Sequence, residues 1–393
     1  MSVSCCRSWP SLLFFTKPTM TKITRPASIV KQGDLVLYTT SLRVKDLLLP
    51  NFYNIERLDP DNQEQEGYQR LLNKSRARKL AEYIVAGLEN RDAFLPTSIF
   101  MATEKDFPFN KTNNTICIDT EKIGPFSIVD GQHRVEGLKM AAERDERVLE
   151  FEIPVNIAVK LSHLHQMAHF LIVNTTQKSV EEGIAQRIRS NFSQVADTCD
   201  LPTLPPWIGR LVDKGDDAKG IQIIDYLNDK QPWKGRIIMA NEESPKNNKS
   251  ITQKSFITLL KKHYFVRNNF ILSYEIATQC RILENYWKAI TSIIEPEEDS
   301  VLFKYSGVQL FLMFSFHFFS IMKSKHNHFK VDKMQEELQN CFDEATGEAA
   351  GIGHTDFWKR GGKAGRLNSV AVARVCADMV RALHSFSGSG EEV

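Results

Sequence analysis

At 393 residues the chain is long enough for about two to three domains of ordinary size, or for one large domain with an appended bundle. Apolar residues make up 42% and charged residues 25%, the proportions of a soluble globular protein, which excludes a disordered, collagenous or rod-like chain. Fifty Lys and Arg against 48 Asp and Glu leave a formal charge of +2, so a nucleic-acid-facing surface has to be local.

The first nineteen residues hold a short apolar patch at 12–15 behind Pro10, with Arg7 as its preceding cation and no small-residue cleavage site, a poor signal peptide. Met20 opens a normal polar start. Residues 1–29 are therefore read as a disordered tail or an over-extended reading frame, the start being Met1 or Met20. Seven scattered cysteines without a CxxC pair argue against a disulfide framework or zinc ribbon and for a reducing, cytoplasmic setting.

Between residues 73 and 90, Ala77, Leu80, Ala81, Ile84 and Leu88 recur at helical spacing, opposite Arg76, Arg78, Lys79 and Glu82. Pro96 breaks the chain before a β-prone run at 97–102, and 115–118 reads as an edge or hairpin strand. A strand at 126–129, a polar turn at 130–134 and a helix at 135–144 follow, then a strand at 151–159. A second amphipathic helix turns Leu164, Met167, Ala168, Leu171 and Ile172 inward and ends at the polar run from Asn174 to Lys178. Beyond residue 183 come Pro202, Pro205, Pro206 and Gly209, then helices at 251–265, 271–294, 301–323, 331–345 and 369–385. The uncharged run at 305–322 approaches the length of a membrane span, but its Ser, Gln and His residues favour a buried helix, with Phe311, Phe314, Phe316, Phe318 and Phe319 in the core. The fold class is α+β: an α/β core at 30–185, an irregular linker or insert at 186–250, and a helical domain at 251–393.

The turn between strand and helix reads Asp130, Gly131, Gln132, His133, Arg134, with Gly137 one turn on. Gly131 lets the backbone approach a ligand, the following amides open a helix where anions are favoured, and Arg134 offers a fork matched to phosphate oxygens. His133 can exchange protons near neutral pH, with Asp130 to orient it or to hold a metal through a phosphate. The same residues also fit a plain capped helix, with Asp130 as N-cap and Arg134 paired to Glu136 or a neighbour. His165 and His169 share a helical face, but no HExxH pattern follows, and we assign no metal site. No P-loop is present, nor a GxSxG elbow.

The string Asp130-Gly131-Gln132-His133-Arg134 resembles the motif that names the DGQHR-domain proteins, including the DndB family of DNA phosphorothioation systems, and more remotely the turn of ParB and sulfiredoxin. Gly67, Tyr68, Gln69 and Arg70 followed by Ser75 and Arg76 resemble this family's lead-in. The run from Phe170 through Asn174, Thr175, Thr176, Gln177, Lys178, Ser179 and Val180 resembles its second polar box. Pro232, Trp233, Lys234, Gly235, Arg236 and Ile237, and Thr252, Gln253, Lys254, Ser255 and Phe256, are similar to its later landmarks, so that the likeness spans roughly residues 60–370. It implies a ParB-like core in which Gly131, Gln132, His133, Arg134 and Gly137 meet a nucleotide's phosphates, with Asn174, Gln177 and Lys178 completing the pocket and Gln69, Arg70 and Arg76 as a third wall. ParB-type turns are Arg-rich, whereas Gln132 and His133 stand here. The nucleotide's identity therefore does not carry over, and the resemblance points only to the class of a nucleoside triphosphate with Mg²⁺.

Three functions stay open at this point. The resemblance implies a DNA-binding regulator or accessory protein of a bacterial DNA-modification or defence system, with Arg78, Lys79, Lys234, Arg236, Lys363 and Arg366 as further DNA contacts. Its partners would be DNA and other DNA-modification proteins, or a second copy of the chain, and not a membrane. The second is a nucleotide hydrolase with Asp130 and His133 in the chemistry, and the third a scaffold that binds a protein partner.

Overall fold

The computed structural model describes residues 22–58, 67–177, 181–198, 201, 203–242 and 250–388, with the side chains of 175–177 and 386–388 left aside. These residues form two compact units. One takes its described residues from Met1–Ile55 and Leu72–His163, the other from Glu56–Leu71 and Leu164–Val393.

The first unit is built on a mixed eight-stranded sheet. Strands β1 (Lys22–Gln32) and β2 (Leu35–Arg43) form an antiparallel hairpin turning at Gly33, whose φ of 60° is left-handed backbone that glycine adopts without strain. Then come β3 (Tyr53–Asn54), β4 (Ile99–Ala102), β5 (Phe109–Asn110), β6 (Thr115–Asp119), β7 (Phe126–Asp130) and β8 (Glu152–Val159). The spatial order is β3-β7-β4-β8-β2-β1-β6-β5. β1 changes partner midway: Lys22–Pro26 pair with β6, and Ala27–Gln32 with β2. Pro26 marks the switch. The break costs the ladder no amide there, and the Pro26 carbonyl accepts from the Thr40 hydroxyl at 2.6 Å.

Two helices, α1 (Lys74–Asn90) and α2 (Gln132–Ala142), pack on each other. Ala77, Ala81 and Ile84 of α1 are buried with Val135, Leu138 and Ala141 of α2. Gly137 sets their spacing, because a Cβ there would lie 2.8 Å from Leu80 Cδ2 and 3.1 Å from the Ala77 carbonyl oxygen.

The second unit is helical: α3 (His163–Gln177), α4 (Glu182–Val195), α5 (Pro206–Lys214), α6 (Asp216–Asn228), α7 (Gln253–Leu259), α8 (Ile276–Ile294), α9 (Tyr305–Lys325), α10 (Val331–Asp343) and α11 (Ser369–Gly388). Its core is an aromatic cluster in which Trp233 meets Trp287, Phe256 and Phe303 edge-on at 4.9 to 5.1 Å. Asn241 bridges residues 58, 69 and 71. Asn241 Nδ2 donates to the carbonyls of Leu58 (2.6 Å) and Gln69 (3.2 Å), and its Oδ1 accepts from the Leu71 N–H. Under the core, Asp217 is 1% exposed and receives Arg189 at 2.7 Å and Lys261 at 2.5 Å.

The α+β class is as expected, with two corrections. The expected tail at 1–29 overlaps β1, whose Ile23 and Ala27 are core residues, while 1–21 lie outside the described residues. The expected irregular linker at 186–250 instead carries most of α4 and all of α5 and α6, with Ile188, Ile208, Val212, Ile223 and Ile224 buried. The second amphipathic helix ends at Gln177, within the expected polar run at 174–178. α9 is long and apolar enough to cross a membrane, yet Phe311, Phe314, Phe318 and Phe319 on it are fully buried in the core, and Phe316 partly.

Candidate functional site

β7 ends at Asp130, and the chain reverses into α2 through Gly131, which has φ 107° and ψ 13° and is the residue that caps the helix. Asp130 is therefore not the N-cap. Its carboxylate binds Arg134 one turn on, with Nη2 to Oδ2 at 2.7 Å, so Arg134 pairs with Asp130 and not with Glu136. That bond folds the guanidinium back over the turn: a Cβ on Gly131 would lie 3.0 Å from Arg134 Nη2 and 3.1 Å from its Nε. Only glycine permits both this backbone and that overlay. The Gly131 carbonyl closes the first turn, accepting from the Arg134 and Val135 amides at 2.8 and 3.0 Å.

His133 ties this turn to a second helix start. Its Nε2 accepts from the backbone N–H of Asn73 at 3.0 Å, and Asn73 is itself the N-cap of α1, its Oδ1 taking the Arg76 amide at 3.0 Å. An accepting Nε2 carries no proton, so the neutral ring holds its proton on Nδ1. Two helix N-termini, both carrying the positive end of a helix dipole, thus meet at His133. Asn73 is the residue that sequence reasoning overlooked. Its signal was present, an Asn directly ahead of an amphipathic helix.

Two buried polar atoms at the turn lack a hydrogen-bond partner: Gln132 Oε1, in a residue 6% exposed, and Arg134 Nε. An unmade bond of this kind costs about 1 to 3 kcal/mol, and a donor next to two helix starts is suited to an anionic oxygen.

The remaining predicted residues are spread out. Arg76, Arg78 and Lys79 lie exposed on α1 in the same unit as the turn, and Gly137 faces α1 rather than a ligand. Gln69, buried, and Arg70, half-buried, belong to the second unit. So does Asn174, whose side chain donates back to the Phe170 carbonyl at 2.8 Å. Lys178 lies outside the described residues, as does the Gln177 side chain. Lys234, Lys363 and Arg366 are exposed. Arg236 is half-buried, with its guanidinium 4.3 Å from the Phe303 ring centroid and Nε donating to the Pro232 carbonyl at 3.1 Å, a packing role that leaves less of it for DNA. Among the described residues no group of three His, Cys, Asp or Glu side chains is placed to hold a metal ion. His165 and His169 remain a pair, and burial, with His165 behind it, pushes His169 below its ordinary pKa.

A model of the DndB family, described as DNA-sulfur modification-associated, matches residues 25–196. Over that stretch the chain is DndB-like. The matched stretch holds the whole eight-stranded sheet from Arg25 onward, the Asp130–Arg134 turn, and α1, α2, α3 and α4, so the turn sits inside the DndB-like region and the aromatic core of the second unit outside it. No curated protein and no solved structure matches the chain.

The second unit also contains a polar cleft of about 400 Å³ between α4 and α6, lined by Arg187, Asn191, Gln194, Gln222, Asp225 and Asp229 among others. Arg187 and Asp225 pair across it at 2.8 Å, and burial pushes the Asp225 carboxyl up despite the pull of Arg187.

Proposed function

We propose that this DndB-like protein is a DNA-binding regulator or accessory factor of a DNA-modification system, with a phosphate-binding site at the Asp130–Arg134 turn. The orphaned Arg134 Nε at the meeting of two helix N-termini carries the reading. A phosphate oxygen there would take that donor and the field of both helices, with Asp130 keeping the guanidinium in place. The exposed cations Arg76, Arg78 and Lys79, on the helix that opens at the same point, supply a basic approach in a nearly neutral chain.

The hydrolase reading draws less support. The Nε2 of His133 is spent on the Asn73 amide, and Asp130 is spent on Arg134. Both serve better as holders of the turn than as acid and base.

A panel of nucleoside triphosphates, with and without Mg²⁺, and of short duplexes, read by thermal unfolding and gel shift at two salt concentrations, tests the proposal. A ligand at 100 times its dissociation constant adds about 2.7 kcal/mol of stability. Arg134→Ala should abolish that gain, and duplex affinity should fall with salt. A panel without any shift, or a shift retained in Arg134→Ala, overturns the phosphate site, and duplex affinity insensitive to salt overturns the DNA reading.

A further inference from the structure

Helix α1 is buried along one side only. At about 100° per residue, Ala77, Ala81 and Ile84 fall on the inner side, where they are buried, and the opposite side runs through Ser75, Lys79 and Glu82, all exposed. Arg76 stands about 80° to one side of that line, and Arg78 and Lys74 stand about 80° and 120° to the other. These three are exposed as well. The first turn of α1 holds no acidic residue, so the cations crowd the positive end of the helix dipole, where they cost stability. Glu82, three and four residues beyond Lys79 and Arg78, pairs with neither, and none of the five charged side chains has an ion pair among the described residues. The other acids of this stretch, Glu89 and Asp92, come in and after the last turn.

We infer that α1 is a recognition helix whose outer line enters the major groove of duplex DNA. Ser75, Lys79 and Glu82 face base edges, Arg76 meets the phosphates of one strand, and Lys74 and Arg78 meet those of the other. The inference deepens the DNA-binding reading and rests on it. The flanking cations choose the occupant. They leave the helix in opposite directions, so a mononucleotide or a single strand lying on α1 would leave one flank unmet, whereas a groove sets a row of phosphates on either side. An α-helix with its side chains is about 10 to 12 Å across, which matches the roughly 12 Å of the major groove and not the roughly 6 Å of the minor. Glu82 has no place against a phosphate but accepts from the exocyclic amine of cytosine, and Lys79 donates to the O6 and N7 of guanine. Reading bases with the first turns also puts the positive end of the helix toward the DNA.

The test uses the full chain and a pool of short duplexes randomised at their central positions, with bound species recovered by gel shift and sequenced, and one mixed-sequence duplex titrated across salt. Wild type should recover a short motif containing guanine and cytosine. Glu82→Gln should lower the preference for cytosine at one position at least about five-fold, in favour of adenine, with the salt slope unchanged. Arg76→Gln with Arg78→Gln should recover the wild-type motif while the slope of log affinity against log salt falls by about 1.8. Replacing the recovered guanine by 7-deazaguanine, which lacks the major-groove N7, should weaken binding. Thermal midpoints should not fall in these variants, since the side chains are on the surface. A wild type that binds no duplex overturns both this inference and the DNA reading beneath it. Salt-dependent duplex binding with no recovered motif, with a motif unchanged in Glu82→Gln, or with indifference to 7-deazaguanine overturns the recognition helix alone.

Discussion

Replacing Gly131 by alanine tests the construction of the turn most directly. The new Cβ meets two costs. The backbone at φ 107° is strained for any L side chain, by about 1 to 2 kcal/mol. The Cβ would also lie 3.0 to 3.1 Å from the Arg134 guanidinium, which has to move and surrender its bond to Asp130, an ion pair partly open to water and contributing up to about 1 kcal/mol. Gly131→Ala should therefore destabilise the start of α2 by about 1 to 3 kcal/mol. In an Arg134→Ala background only the backbone strain remains, so the two substitutions should couple by about 1 kcal/mol. The described tryptophans all belong to the second unit, so fluorescence reports little of this region. Hydrogen exchange of peptides covering 126–142 reads it directly, with opening roughly 5- to 160-fold more frequent in Gly131→Ala. Equal losses in both backgrounds would refute the overlay of Arg134 on the glycine, and no loss in either would refute the left-handed turn itself.

Asn241→Ala should cost about 3 kcal/mol, since it strands the Leu58 and Gln69 carbonyls and the Leu71 amide, and Asn241→Gly should recover the part due to its φ of 68° and no more, as urea unfolding will tell. Asp217→Asn, which weakens a buried acceptor shared by Arg189 and Lys261, should cost about 3 kcal/mol in the same assay, whereas Lys333→Gln, on an exposed pair with Glu336, should leave the unfolding midpoint unchanged. Burial holds His169, His263 and His317 below their ordinary pKa of 6.5, so the unfolded chain takes up protons first as pH falls through 6.5. Stability should then decline until the folded pKa values are passed, and His263→Gln should flatten that decline in thermal scans. Gly307→Ala should destabilise the second unit by about 1 to 3 kcal/mol, because the added methyl would come 2.2 Å from the Leu302 carbonyl oxygen, and circular dichroism melting will register it.

What could be read in the sequence follows the range of the forces involved. The strand, turn and helix at residues 126–142 were legible because an apolar run, a Gly-containing turn and a 3.6-residue period are local signals. The β1–β2 hairpin was missed. Pro26 interrupts β1 and few of its residues are buried, though the Gly33-Asp34 pair between β-branched runs was a usable sign. Pro205, Pro206 and Gly209 suggested a linker. Yet a proline at the first helical position starts a helix, and Gly209 sits on α5 where a Cβ would meet open space. At the turn the residue types were legible, but their bonding was not: the choice of Gly131 over Asp130 as cap depends on a φ value, and the His133–Asn73 bond joins positions 60 apart in the chain.

That long-range bond also bears on how the turn would respond to a ligand. His133 holds α2 to the cap of α1 through an accepting ring nitrogen, so a side chain that cannot accept there breaks that bond. Asn73 would keep its own grip on the Arg76 amide, and Gly131 its cap on α2, but the two helix starts would lose the link that joins them. Phosphate binding by the pair of termini should therefore weaken when residue 133 can no longer accept that amide. His133→Gln, whose side-chain oxygen can accept the same amide, should keep most of the binding of inorganic phosphate in titration calorimetry. His133→Ala should bind it more weakly, and equal binding by both variants would refute the role of that bond.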